Sequence, residues 1–322
     1  MLYPLAFHPI FKQRVWGGRE LECLYHKPLP PGLVIGESWE ISDRPGDVSV
    51  IGNGPLAGQD LHWLMEHHAA ELLGRAAPHS GRFPLLVKIL DAQDKLSLQV
   101  HPPPAKAAEL GGEAKTEMWF VAKAAPGAAL YAGLKHGVTR AEFEAKIQSG
   151  AVVECFHRVE VRSGDAIFLP SGRVHALGAG LVIFEIQQNS DTTYRVFDWN
   201  RRGLDGNFRE LHIAQSLASI DFNDFEPSLL PTVWSRDGER RVRPLLRHAL
   251  FSVEVQEVVS GASVALPPGK TQIIGLVEGR AQLGGGQATL TLAAGEFGLV
   301  PASLSEVAVR AETPATLLRV EM

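Results

Sequence analysis

Ser97, Gln99 and His101 are spaced by two in the run Lys95-Leu96-Ser97-Leu98-Gln99-Val100-His101, which alternates apolar and polar side chains until Pro102-Pro103-Pro104 stops it. In a strand, residues two apart share a face with Cα atoms roughly 7 Å apart, so Gln99 and His101 can converge on one metal ion. Two further segments carry polar groups where an apolar strand would have none. Lys115-Thr116-Glu117-Met118-Trp119 puts Lys115 and Glu117 on one strand face, and His175 stands just past the turn Pro170-Ser171-Gly172. Two neutral imidazoles, a carboxylate and an amide oxygen, with water in the remaining position, suit zinc in an open site. The same N/O set also accepts manganese, iron or cobalt.

Several elements must position these groups. Phe83 to Leu90 is an apolar run broken only by Lys88, and Asp91-Ala92-Gln93-Asp94 reads as a hairpin connection that sets Lys88 opposite Ser97. Burying an unpaired ammonium is costly, so Lys88 is expected to face the pocket of Gln99 and His101. Gly36 to Ser42 alternates like a strand, whereas Leu61 to Leu73 has helical spacing and ends at Gly74. His62, His67 and His68 on that helix lack the i, i+4 pairing of a zinc helix, so they read as surface or packing residues. Thr139-Arg140-Ala141-Glu142 is a capping box opening a helix that runs to Gly150, and Phe208 to Ile220 is amphipathic.

Short apolar runs between dense Gly and Pro (32 and 21 of 322 residues) favour a sandwich or barrel of many short strands, so the fold is expected to be all-β. Residues 1–225 form the expected metal-binding domain with helical inserts, 226–244 a linker, and 245–322 a smaller β domain. That last domain repeats the first in part. Gly164-Asp165-Ala166-Ile167-Phe168-Leu169-Pro170 matches Gly295-Glu296-Phe297-Gly298-Leu299-Val300-Pro301, and Lys115-Thr116-Glu117 matches Lys270-Thr271-Gln272. Glu306 then falls at the position of His175, and the copy is expected to hold no metal. A formal net charge of −5 with no basic stripe argues against nucleic acid as a partner. No apolar run is long enough to span a bilayer, and the first residues carry no leader pattern, so a cytoplasmic location is expected. Cys23 and Cys155 read as isolated thiols.

Taken together, Trp16-Gly17-Gly18, Gly36-Glu37-Ser38-Trp39-Glu40, Lys88 to Pro102, Lys115 to Trp119, Pro170 to His175 and Glu185 to Arg195 resemble, in order and over about two-thirds of the chain, the type I phosphomannose isomerases in their short bacterial form. The resemblance implies a cupin-type jelly roll, one zinc ion per chain, and interconversion of mannose 6-phosphate and fructose 6-phosphate. It matches Gln99, His101, Glu117 and His175 to the metal ligands and Arg195 to the active-site arginine. Glu185 matches an acidic residue, and Lys88, Ser97 and Lys115 match positions near the sugar phosphate. Glu185, a metal-bound hydroxide and a neutral lysine are all candidate bases, with Arg195 or Lys115 supplying fixed positive charge; the alternative for Glu185 is an ion-pair partner of Arg195. Arg201 stands where longer members carry a lysine; an arginine can hold a phosphate but does not transfer protons, so it takes no chemical role. The partner is a small sugar phosphate, and monomer and homodimer both stay open. The competing readings are a sugar-phosphate sensor of the same fold and an iron oxygenase; the cations around the pocket argue against the latter.

Overall fold

The computed structural model describes residues 2–75, 81–285 and 288–322. Leu85–Ala92 is buried along its whole length because apolar layers cover both of its faces. It lies inside a six-stranded sheet ordered Ile10–Gly18, Ile35–Ile41, Leu85–Ala92, Leu181–Gln188, Glu117–Ala124 and Ala166–Leu169. A five-stranded sheet faces it, ordered Tyr194–Phe197, Leu98–Val100, His175–Leu177, Ala129–Leu134 and Phe156–Glu160. Leu90, Trp119, Val121 and Ile183 of the first sheet pack on Leu130, Ala132 and Leu177 of the second.

The expected hairpin across Asp91–Asp94 does not form. Leu85–Ala92 pairs with Ile35–Ile41 and Leu181–Gln188, whereas Leu98–Val100 pairs with His175–Leu177 and Tyr194–Phe197 in the opposite sheet. Val87 and Ile89 need an apolar layer behind the sheet while Lys88 and Leu90 face forward, so the strand takes a central place and the chain crosses to the other wall. Lys88 and Ser97 therefore meet across the sandwich.

Helix expectations fare unevenly. Asp60 caps Leu61–Leu73 by accepting from the Trp63 amide, and Thr139 caps Arg140–Ser149 by accepting from Glu142 N, with Gly150 left-handed at its end. The third expected helix is only Ile213–Ser219. Residues 208–212 stay out of the helix because Phe208 bridges Arg202 and Arg209 is tied to Asp198. No described helix is long and apolar enough to cross a membrane.

The second half is another sandwich. Its six-stranded sheet is ordered Ser235–Asp237, Arg240–Arg247, Ser252–Val258, Ala315–Glu321, Gln272–Glu278 and Phe297–Val300; Ser263–Ala265, Ala308–Ala311, Arg280–Gly285 and Ala288–Ala293 face it. Two of these strands begin inside the stretch expected to be a linker. Its arginines read as loop charges but are strand residues with partners: Arg241 pairs with Glu257, and the buried Arg243 donates to the carbonyls of Gly164, Leu230 and Pro231. The two six-stranded sheets share one core, with Val87, Phe120 and Phe184 packed among Val253, Ile273, Phe297 and Leu318.

The register supports the internal repeat. Leu169 sits opposite Glu117, and Val300 opposite Gln272. Following that register one strand further, the cross-strand pair Lys88 and Glu185 has its counterpart in Glu254 and Arg319, with the charges exchanged.

Candidate metal centre and cleft

Residues directly opposite each other in an antiparallel sheet project to the same side. Gln99 lies between His175 and Arg195 in the five-stranded sheet, so these three form a row on its inner face. The facing row on the other sheet is Trp39, Lys88, Glu185 and Trp119. Glu117 stands two residues before Trp119 on the same face, and His101 follows the end of Leu98–Val100, where the prolines begin.

Among the described residues, His101, Glu117 and His175 are the one group of three or more His, Cys, Asp or Glu side chains whose ligand atoms lie within 4.8 Å of one another, and all three are buried. His175 Nε2 is 3.2 Å from Glu117 Oε1, and His101 Nε2 is 3.5 Å from Glu117 Oε2. Each imidazole is held from behind: His101 Nδ1 lies 2.7 Å from the Thr192 carbonyl and His175 Nδ1 2.9 Å from that of Arg173. A carbonyl only accepts, so both Nδ1 atoms carry the proton and both Nε2 lone pairs turn toward the carboxylate. Burial, reinforced by the Lys115 charge, lowers the His101 pKa to about 3, so the ring stays neutral. His101 Nε2 and both Glu117 oxygens have no hydrogen-bond partner. Lys115 offsets part of the Glu117 charge from 3.1 Å, but lone pairs converging on one buried point remain costly and a divalent cation relieves that cost, so the donor set fits a metal. Gln99 Nε2 lies 3.3 Å from His175 Nε2, while its Oε1 accepts from Ser97 Oγ at 3.3 Å. A half-turn of the amide brings the oxygen to the cluster.

Gln99 and Lys115, which reach the cluster, also line a cleft of about 590 Å³ together with Lys88, Ser97, Glu185 and Arg195 among others. All nine residues singled out in the sequence thus meet at one place. Glu185 pairs with Lys88 at 3.3 Å and accepts from Trp119 Nε1 at 2.7 Å, so its ion-pair partner is Lys88 and the expected alternative, Arg195, is not. Burial, then the Glu117 charge, raise the Glu185 pKa above the usual carboxylate value. Lys115 lies 3.1 Å from Glu117 Oε2; although burial opposes its charge, Glu117 and Glu185 raise its pKa.

Arg14, Glu37, Arg209 and His212 also line the cleft, and sequence reasoning singled out none of them for a role. Glu37 showed a signal, since its Gly-Glu-Ser-Trp-Glu run alternates and puts it on the face of Trp39. It accepts from Arg14 Nε at 2.8 Å and Trp39 Nε1 at 2.6 Å, and Lys88 Nζ is 3.9 Å away. Burial works to raise its pKa, but Lys88 and Arg14 overcome that and lower it from 4.5 to about 2. A carboxylate with a depressed folded pKa contributes stability that is full above its unfolded value and is lost as pH falls toward its folded one. The expected contribution is on the order of 3 kcal/mol. Urea unfolding of wild type and Glu37→Gln should therefore show a stability gap at pH 7 that narrows as pH falls from 4.5 toward 2. A gap that holds constant with pH contradicts the ionised reading.

An antiparallel two-sheet sandwich with two imidazoles and a carboxylate converging between its sheets defines a cupin-like protein with a candidate metal site. Residues 5–126 match the family model described as phosphomannose isomerase type I, catalytic domain. The mannose-6-phosphate isomerase ManA of Bacillus subtilis (strain 168) is 35% identical over 309 residues, 94% of each chain. The mannose-6-phosphate isomerase of Streptococcus mutans is 41% identical over 218 residues, 67% of each chain. Among solved structures, a mannose 6-phosphate isomerase from Bacillus subtilis superposes with a TM-score of 0.90 at 29% identity, covering 100% of both chains. The chain belongs to the type I phosphomannose isomerases.

Proposed function

We propose that the chain interconverts mannose 6-phosphate and fructose 6-phosphate through an enediol or enediolate, with one zinc ion held by Gln99, His101, Glu117 and His175. The observation that carries the reading is the convergence of the buried His101, Glu117 and His175 ligand atoms, with no hydrogen bond to His101 Nε2 or either Glu117 oxygen, beside a cleft rich in cations. When bound, zinc supplies a Lewis acid that polarises the sugar carbonyl. The chain's own groups do the rest. In the aldose-to-ketose direction the C2 proton is removed as O1 gains a proton, O2 then loses its proton as the carbonyl forms at C2, and a proton returns to C1, so no electron leaves the substrate. Glu185 is the proton carrier: its raised pKa brings a carboxylate nearer the operating range of a general base, and Lys88 and Trp119 hold it in place. Lys115 and Arg195 supply fixed positive charge where negative charge develops on the substrate oxygens. Lys88, Ser97 and Lys115 line the space the sugar occupies. Residues 1–225 perform the chemistry, and 245–322 form the metal-free half.

A coupled assay for fructose 6-phosphate formed from mannose 6-phosphate, before and after chelation, tests this. Turnover should fall by at least about ten-fold on chelation and return with added zinc. Protein that binds the sugar phosphate but never exchanges its C2 proton with solvent would be a sensor instead.

A further inference from the structure

We propose that Arg209 receives the phosphate of the substrate at the mouth of the cleft and so selects phosphorylated over free sugar. The inference rests on the isomerase reading and deepens it. A phosphate monoester carries about −1.5 to −2 charges at neutral pH, so it goes where positive charge is not already neutralised. The floor of the cleft is a poor place. Lys88 stands between Glu185 and Glu37, Glu37 also holds Arg14, and Lys115 sits on Glu117, so each of these cations already has a carboxylate partner.

The mouth is different. Asp198 is a buried carboxylate shared by two guanidiniums. Arg209 donates to it through Nε at 2.7 Å and Nη2 at 2.5 Å, and Arg201 through Nη2 at 2.9 Å. Two guanidiniums thus share one buried carboxylate, and the second carboxylate in reach, Asp94, is exposed and lies 3.3 Å from Arg201. Arg201 spends its remaining donor group on Asp94 and the Lys95 carbonyl and does not line the cleft, whereas Arg209 lines it and has no protein partner at Nη1 among the described residues. Arg195, whose protonation is opposed by burial and then by Arg209, makes no ion pair among the described residues. Two carboxylates also reach the rim, but Asp191 and Asp205 are exposed, and Asp205 is turned onto its own loop, accepting from Asn207 N at 3.0 Å. The geometry thus offers a phosphate one unencumbered guanidinium edge from Arg209, beside Arg195.

The test compares Arg209→Met, Arg209→Lys and Arg202→Met in the metal-loaded enzyme; Arg202 is an exposed arginine of the same loop outside the cleft lining. In Arg209→Met, the KM for mannose 6-phosphate and the inhibition constant of inorganic phosphate should each rise about ten-fold, the size of one lost charge-assisted hydrogen bond, with kcat within about two-fold and metal content unchanged. Arg209→Lys keeps the charge but loses the fork and should rise about three-fold, whereas Arg202→Met should move less than about two-fold. Wild-type phosphate inhibition in Arg209→Met, or an equal effect in Arg202→Met, overturns the proposal. If wild type shows no turnover, the isomerase reading falls, and calorimetry with inorganic phosphate still decides the role of Arg209. If Arg209→Met does not fold, wild-type phosphate affinity in Arg209→Lys overturns the assignment.

Discussion

His101→Ala/His175→Ala protein should contain almost no divalent metal, against about one ion per chain in wild type, and its kcat/KM should fall by about three decades or more. Both rings face backbone carbonyls through Nδ1, which turns both Nε2 lone pairs toward Glu117 and leaves that of His101 without a hydrogen-bond partner. Metal-supplied charge stabilisation is worth several kcal/mol, and each 1.4 kcal/mol is about one decade of rate. The variant should still fold, because Glu117 keeps Lys115 at 3.1 Å as its counter-charge. Elemental analysis together with circular dichroism checks both halves of the expectation. Full metal content in the folded double variant would remove these residues from the site. Gln99→Ala should be milder, since water replaces a neutral amide oxygen readily.

Arg195→Ala should lower kcat by about two to three decades while metal content stays at the wild-type level. Arg195 is next to Gln99 in the sheet and carries no carboxylate partner among the described residues, so its charge is available to the reacting oxygens. One preorganised donor is worth roughly 3 to 4 kcal/mol in comparable oxyanion sites. Steady-state kinetics with metal analysis distinguishes the outcomes. If KM rises and kcat holds, Arg195 serves substrate and transition state alike and belongs to binding. Lys88→Ala is an unsuitable comparison. Its ammonium separates Glu37 from Glu185, so removing it leaves two buried carboxylates facing each other and disturbs the proton carrier itself.

Much of the candidate cluster was legible because its signal is local. Gln99 and His101 share one strand, Lys115 and Glu117 adjoin, and polar residues at those places have no other use in an apolar run. The capping box at Thr139 was legible for the same reason. What escaped was pairing at long range. Leu85–Ala92 and Leu98–Val100 look like partners, yet each finds its ladder about a hundred residues away or nearer the amino terminus, through contacts that periodicity does not encode. Arg209 lay inside an amphipathic stretch, and only the buried Asp198 shows why that stretch does not coil. Arg14 sits in an edge strand, Ile10–Gly18, whose half-buried pattern hides which face looks inward. The arginines of 240–243 resembled a solvated connection because their partners, Glu257 and three carbonyls, come from elsewhere in the chain.

Phe184 stands beside Glu185 in the same strand and points the other way, into the core shared with the second sandwich. There its ring meets Tyr25 at 5.8 Å and Phe297 of the second half at 5.4 Å. The wall that carries the proton carrier is thus buttressed from behind by the half expected to hold no metal, and Arg243 fastens the junction at Gly164. Rocking one half against the other would tear this aromatic packing apart and widen nothing in front of Glu185. Residues 203–205 and Arg209 line the cleft that Glu185 faces. The second sandwich acts as a brace behind Glu185, while the loop that carries Arg209 is anchored separately, through the buried Asp198.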